Sequence, residues 1–153
     1  MVYRVYTDAA TKFQEGYSAV AFLVLRGNTY IKSHKEVRPV GSTAAAESIA
    51  VGLALQYLVD EIGVTNEDVV NIFCDSSYTL KFANRVLQSL KDGKVDESVC
   101  ARPKNIFWLQ GIYDYVPRVR AKLMFTKVKA HLRGKNPHCY VDRLAKVGLV
   151  TDK

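Results

Sequence analysis

Short, nearly continuous apolar runs alternate along the chain with longer stretches of helical period. Tyr3-Arg4-Val5-Tyr6-Thr7 is rich in β-branched and aromatic residues and predicts a first strand over Met1–Asp8, closed by Asp8, with Ala9-Ala10 opening a turn. Lys12 to Gly16 is a polar connection with a glycine stop. Tyr17 to Leu25 is apolar almost throughout, which predicts a strand buried on both faces. Arg26-Gly27-Asn28 is a tight-turn signal, and Thr29 to Val37 predicts a third strand that completes an antiparallel meander. Pro39 and Gly41 break the chain. Ser42 or Thr43 then stands as the N-cap of a helix over Ala44–Val59, whose Ala46, Ala50, Leu53, Ala54, Tyr57 and Leu58 recur at three- and four-residue spacing.

After a turn at Thr65–Asp68, Val69–Cys74 reads as a short buried strand closed by Asp75. Ser76 caps a second helix through about Leu90, and Lys91 to Pro103 reads as a polar loop. Asn105 to Val116 predicts a third helix ended by Pro117, and Ala121 to Val128 a fifth strand. Ala130 to Asn136 is a basic loop containing Gly134, and Pro137 opens a last helix carrying Asp142, Leu144 and Ala145. The order is β-β-β-α-β-α-α-β-α. The two later strands each follow a helix, so right-handed crossovers lay them parallel to the first. The fold class expected is therefore α/β: one domain over 1–153, with a five-stranded mixed sheet of order 3-2-1-4-5 and helices on both faces.

Composition narrows the class further. A hydrophobic content of 48% and a charged content of 24% fit a soluble globular domain. The longest apolar run is too short to span a bilayer, and no signal peptide precedes the first strand, so a cytoplasmic protein without membrane contact is expected. Cys74, Cys100 and Cys139 show neither disulfide nor zinc spacing, which points to buried reduced thiols. The net charge is +7, and all of it lies between Arg118 and Lys135, where seven basic residues stand without an acid. Such a run attracts a polyanion, with nucleic acid the natural partner.

Against that basic background stand four acids at element ends: Asp8, Glu47, Asp75 and Asp142. The order 3-2-1-4-5 makes the first and fourth strands neighbours, so Asp8 and Asp75 point into one crevice outside the strand carboxyl ends. Four clustered carboxylates repel unless a cation joins them. Hard oxygen donors suit Mg²⁺, and two such ions about 3.5–4 Å apart support in-line phosphoryl displacement. The acids are therefore read as ligands of two Mg²⁺ ions, with Mn²⁺ as a possible substitute.

Thr7-Asp8-Ala9, Ala45-Ala46-Glu47, Cys74-Asp75-Ser76-Ser77-Tyr78 and Val128-Lys129-Ala130-His131, followed by Asn136 and Asp142-Arg143-Leu144-Ala145, resemble the motifs of type 1 ribonuclease H over about Tyr3 to Lys146. The resemblance implies an endoribonuclease that cuts the RNA strand of RNA–DNA hybrids, leaving 3′-hydroxyl and 5′-phosphate ends. It implies that Asp8 bridges both metals, that Glu47 and Asp75 bind one ion, and that Asp142 binds the other. The resemblance also implies that His131 moves protons near the leaving group or helps product leave, as suits histidine, whose ordinary pKa is near 6.5. Ser42, Thr43, Ser77, Tyr78, Arg133, Lys135 and Asn136 are the expected substrate contacts, and a monomer is expected.

The chain departs from the family at Ala9, commonly Gly, and at Ala44, commonly a polar residue. On the second helix, Val86 and Leu90 stand where some members place Trp against the DNA strand. Alternative readings are another nuclease of the superfamily, such as a junction resolvase or an exonuclease, and a non-catalytic nucleic-acid-binding module. The intact set of four acids and the His131 loop fit ribonuclease H better.

Overall fold

The structure, a computed structural model, describes residues 1–93, 107–128 and 140–145. The strands are β1 (Val2–Lys12), β2 (Tyr17–Arg26), β3 (Thr29–Arg38), β4 (Val69–Cys74) and β5 (Lys122–Lys127), in one sheet of order β3-β2-β1-β4-β5. β1, β2 and β3 pair antiparallel, while β4 and β5 run parallel to β1. The expected mixed sheet and its order are thus the observed ones.

Period-two alternation divides the sheet residues between two cores. Val5, Phe22, Val24, Val70 and Ile72 face one side, where they pack with buried residues of α1 (Thr43–Tyr57), α2 (Ser77–Asp92) and α3 (Gln110–Tyr115). Tyr6, Ala21 and Leu23 face the other side and meet Val141 and Ala145 of a helical segment over 140–145, here α4. Helices therefore cover both faces. This explains the unbroken apolar run of β2, which is buried from Ser18 to Val24.

β1 differs from expectation in one respect that matters for the site. Ala9 and Ala10 open no turn: they pair with Val20 and Ala19, and the strand continues to Lys12 opposite Tyr17. β2 still offers ladder partners there, and neither Gly nor Pro interrupts Ala9–Lys12. The chain reverses only before Gly16, whose φ of 74° glycine alone adopts readily. The parallel ladder with β4, by contrast, stops at Tyr6 opposite Phe73. Asp8 thus lies on a paired strand that has outrun its other neighbour.

Several element ends also shift. α1 passes at Leu58 into a wider π-type turn through Ile62, closed by Gly63 at φ 69°. α2 runs to Asp92 and is capped by Gly93, so Lys91 and Asp92 are helical rather than loop; the rest of the expected Lys91–Pro103 loop lies outside the described residues. The expected Asn105–Val116 helix is, in its described part, only α3, with a 3₁₀ turn on each side at Phe107–Leu109 and Val116–Arg118. Pro117 in the second turn has no N–H to continue an α-helical ladder.

α1 and α3 cross at two glycines. A Cβ on Gly52 would meet the Gly111 Cα at 3.2 Å, and one on Gly111 would meet the Gly52 Cα at 3.1 Å. Backbone touches backbone, so neither side can yield by moving a side chain. Gly52→Val is expected to cost about 1–3 kcal/mol, read as a lower urea midpoint with an unchanged slope. A midpoint equal to wild type would mean that the two helices do not hold each other this closely.

Candidate metal centre

Asp8 and Glu47 are nearly fully buried, at 5% and 6% exposure, and Asp75 is partly buried beside them. One carboxylate oxygen from each lies within 4.8 Å of the other two. Three separate elements supply them. Asp8 comes from the overhanging end of β1, Asp75 directly follows β4, and Glu47 lies in the first turns of α1. Glu47 can approach the sheet because its helix presents small residues there: Ala46 and Ala50 are fully buried and pack with Val20 and Ala9.

Burial and mutual repulsion set the electrostatics. The Asp8 carboxyl is pushed up to about 8, first by desolvation and then by a hydrogen bond with Asp142; the charges of Glu47 and Asp142 add to the rise. The Ala9 N–H, 2.9 Å from Asp8 Oδ1, pulls the other way. Glu47 rises to about 7 through burial and the charge of Asp75, offset in part by the Ser76 hydroxyl. A hydrogen bond between two carboxyls requires a proton on one of them, so the metal-free cluster retains a proton near neutrality. Adjacent to it, the Cys74 thiol is buried and pushed up to about 12, as expected of an unreactive thiol.

The capping pattern ties α1 to α2 next to the acids. Ser42 caps α1 by accepting from the Ala45 N–H at 3.4 Å, which decides between the two candidates. Ser76 caps α2 through the Thr79 N–H at 3.2 Å while also reaching Glu47. Ser48, next to Glu47, and Thr79 are fully buried and share a hydrogen bond of 2.8 Å between the helices.

The structure brings Asp8, Glu47 and Asp75 together and sets Asp142, on α4, against Asp8. Ser42 is exposed at the α1 N-terminus with Thr43 beside it. Ser77 is exposed and accepts a 2.7 Å hydrogen bond from Lys127 Nζ; the Tyr78 hydroxyl accepts from Trp108 Nε1 at 3.2 Å. His131, Arg133, Lys135 and Asn136 lie outside the described residues. Sequence reasoning missed the Ser48–Thr79 link, for which a hydroxyl one residue from Glu47 was the available signal, and had Lys127 only as one member of the basic run from Arg118 to Lys135. Val86, which stands where some members place Trp, is buried in the core, while Leu90 is exposed.

A sheet of this order, with carboxylates gathered where β1 runs on past the end of β4, defines the ribonuclease H-like class. The family model for RNase H matches residues 2–150, and the chain belongs to that family of nucleases. Among solved structures, RNase H1 from the halophilic archaeon Halobacterium salinarum NRC-1 is similar with a TM-score of 0.66 at 16% identity, covering 98% of each chain. The N-terminal RNase H domain of Rv2228c from Mycobacterium tuberculosis, fused to maltose binding protein, is similar with a TM-score of 0.69 at 16% identity, over 97% of this chain and 94% of that one. At this identity both bear on the fold alone. No curated protein matches the chain significantly. Among the described residues no helix is long and apolar enough to cross a membrane.

The raised carboxyls give a pH test. Asp8 and Glu47 ordinarily titrate near 3.8 and 4.5 and do so near 8 and 7 in the fold. Their neutral forms therefore stabilise the metal-free protein fully below the unfolded values, and that stability is lost as pH rises through the folded ones. The melting temperature of the metal-free protein is expected to fall between about pH 5 and 8, and Asp8→Asn to flatten the fall and raise the value at pH 8 by about 3–8 °C. Identical profiles for the two proteins would show that Asp8 carries no such burden.

Proposed function

We propose that this protein is an endoribonuclease that hydrolyses the RNA strand of RNA–DNA hybrids with two divalent metal ions, Mg²⁺ or in its place Mn²⁺, leaving 3′-hydroxyl and 5′-phosphate ends. The observation that supports this most is the trio Asp8, Glu47 and Asp75, converging within 4.8 Å from three elements. An all-carboxylate donor set suits hard divalent cations. The elevated Asp8 and Glu47 carboxyls are what a cation site costs when no cation neutralises it. Asp8, Glu47, Asp75 and Asp142 would hold the ions. Bound there, the ions supply an activated water and neutralise charge on the leaving oxygen of an in-line displacement.

The chain's own residues take distinct parts. Asp8 interacts with both Glu47 and Asp142, so it would be the carboxylate to serve both ions. Glu47 and Asp75 interact with each other and would form the first site, with the Ser76 hydroxyl orienting Glu47. Asp142 would complete the second. His131 is assigned proton movement near the leaving oxygen or product release.

Substrate contacts follow from polar groups around the acids, with Ser42 and Ser77 exposed and Thr43 and Tyr78 half-buried. Ser42 and Thr43 at the start of α1, and Ser77 and Tyr78 at the start of α2, are placed to meet phosphate or sugar; RNA is told from DNA at its 2′-hydroxyl. Arg133, Lys135 and Asn136 are assigned phosphate contacts. A groove along α2 adds Lys81, Asn84, Arg85 and Gln88, with Lys127 across from them. Such a basic groove takes a phosphodiester backbone, with affinity that falls as salt rises.

The test is cleavage of a labelled hybrid in Mg²⁺, beside duplex RNA, duplex DNA and a four-way junction. The RNA strand of the hybrid alone is expected to be cut, and Asp8→Asn or Asp75→Asn to abolish cutting while leaving hybrid binding in place. Near-wild-type turnover by either variant would sink the metal assignment, and cutting of the junction alone would move the protein to the resolvases. His131→Ala is expected to slow turnover about 10²-fold; an unchanged rate would remove it from the reaction.

A further inference from the structure

α1 packs chiefly over β1 and β2, and β3 extends past its flank. Between helix and strand lies a cavity of about 470 Å³. Strand alternation places Lys32, His34 and Glu36 of β3 on one wall, with Phe22 of β2 directly across the ladder from His34. The other wall is Tyr57, where α1 ends, and the π-type turn that follows, with Asp60 and Glu61. Tyr57 stands ten residues beyond Glu47, about 15 Å along the helix, so the cavity is separate from the acid cluster.

Its lining has a definite character. The Phe22 ring lies with its centroid 5.4 Å from that of His34 and 5.7 Å from that of Tyr57, which makes one side aromatic. Phe22 is buried, whereas His34 and Tyr57 are only half-buried and keep ring surface open. The charged groups are three carboxylates against one ammonium, in a chain whose net charge is +7. Glu36 is engaged by Arg38 and by His34 Nε2 at 2.8 Å. Asp60 and Glu61 form no ion pair among the described residues. The Tyr115 hydroxyl donates to Asp60 Oδ2 at 3.1 Å. A polyanion is repelled from such a wall, which sets the cavity apart from the α2 groove. Short π-type turns inside helices occur frequently at functional places, and this one carries both unpaired acids.

We propose that this cavity binds a small organic cation, an ammonium or guanidinium group on an apolar body. The cationic group meets Asp60 and Glu61, and the body lies against the Tyr57 and His34 rings, where the ring faces add their own attraction for positive charge. Small-ligand sites of this kind occupy about 300–1,000 Å³ and combine apolar walls with a few convergent polar groups. Lys32 on the rim opposes the ligand, so removing it strengthens binding, a sign that a merely structural role for these residues does not produce.

The probe is agmatine, which joins an ammonium to a guanidinium through a short alkyl chain, titrated into the whole chain at low salt and followed by backbone amide chemical shifts. Saturable shifts are expected at residues 32–36 and 56–62 and none at residues 8–10. Asp60→Asn with Glu61→Gln is expected to raise Kd about 5- to 20-fold, and Lys32→Ala to lower it about twofold. All three side chains are exposed, so the melting temperatures are expected to match wild type. Adenosine monophosphate, an anion with a flat ring, is expected not to bind there. No saturable shift with agmatine, shifts confined to residues 8–10, an unchanged Kd in the double variant, or tighter binding of the nucleotide would each overturn the proposal. Failure of the chain to cut hybrid leaves it standing, because no residue of the cavity takes part in the proposed hydrolysis.

Discussion

Two carboxyl groups buried side by side, Asp8 and Glu47, set the terms for the surrounding structure. Each is almost wholly removed from water, and a third acid, Asp75, stands within ligand distance of both. Desolvation raises the cost of every charge placed there, and each charge raises the cost of the next. A chain selected for stability alone would fill such a space with apolar side chains. Acids kept there suit a cation, whose binding would return the stability given up in the empty fold.

A penalty of that kind must be held in place, or the acids would move apart. The surrounding elements resist it with contacts that have little freedom to relax. β1 is fixed on both sides as far as Tyr6 and by β2 alone beyond it, which lets Asp8 stand clear of β4 without leaving the sheet. α1 lies low over the strands on Ala46 and Ala50, meets α3 at the Gly52–Gly111 crossing, and is tied to α2 by the buried Ser48–Thr79 bond. The residues around the acids thereby hold the carboxylate geometry.

Much of this was legible in the sequence because strong local signals agreed with one another. The apolar run of β2 announced two-sided burial, Ser76 announced a helix start, and element order alone limited the sheet to 3-2-1-4-5. Asp8, Glu47 and Asp75 came together because topology forces them to. What escaped was what depends on partners distant in sequence. The continuation of β1 through Ala9 and Ala10 is dictated by β2, since alanine carries no strand preference of its own. The 3₁₀ turns around α3 reflect packing and Pro117. Ala9 needs no positive φ here, because the position is ordinary paired strand; the departure from the family's common glycine therefore brings no backbone strain.

The site also poses an electrostatic problem that the charge distribution answers. Clustered acids repel a phosphodiester backbone, so the groups that catalyse cannot be the groups that attract. The chain keeps its cationic and its acidic groups apart, as the proposed function would require. Lys81 and Arg85 line one wall of the α2 groove and Lys127 the other, while the acids lie sunken at the strand ends. Lys127 joins the two regions, because its register partner is Cys74, the residue before Asp75, and its ammonium group holds Ser77. Cationic binding at the surface is screened by salt, whereas the buried cluster is shielded from it. Under the proposed function, ionic strength would act on capture of the polyanion and leave the carboxylate geometry alone, so affinity and chemistry could be altered independently.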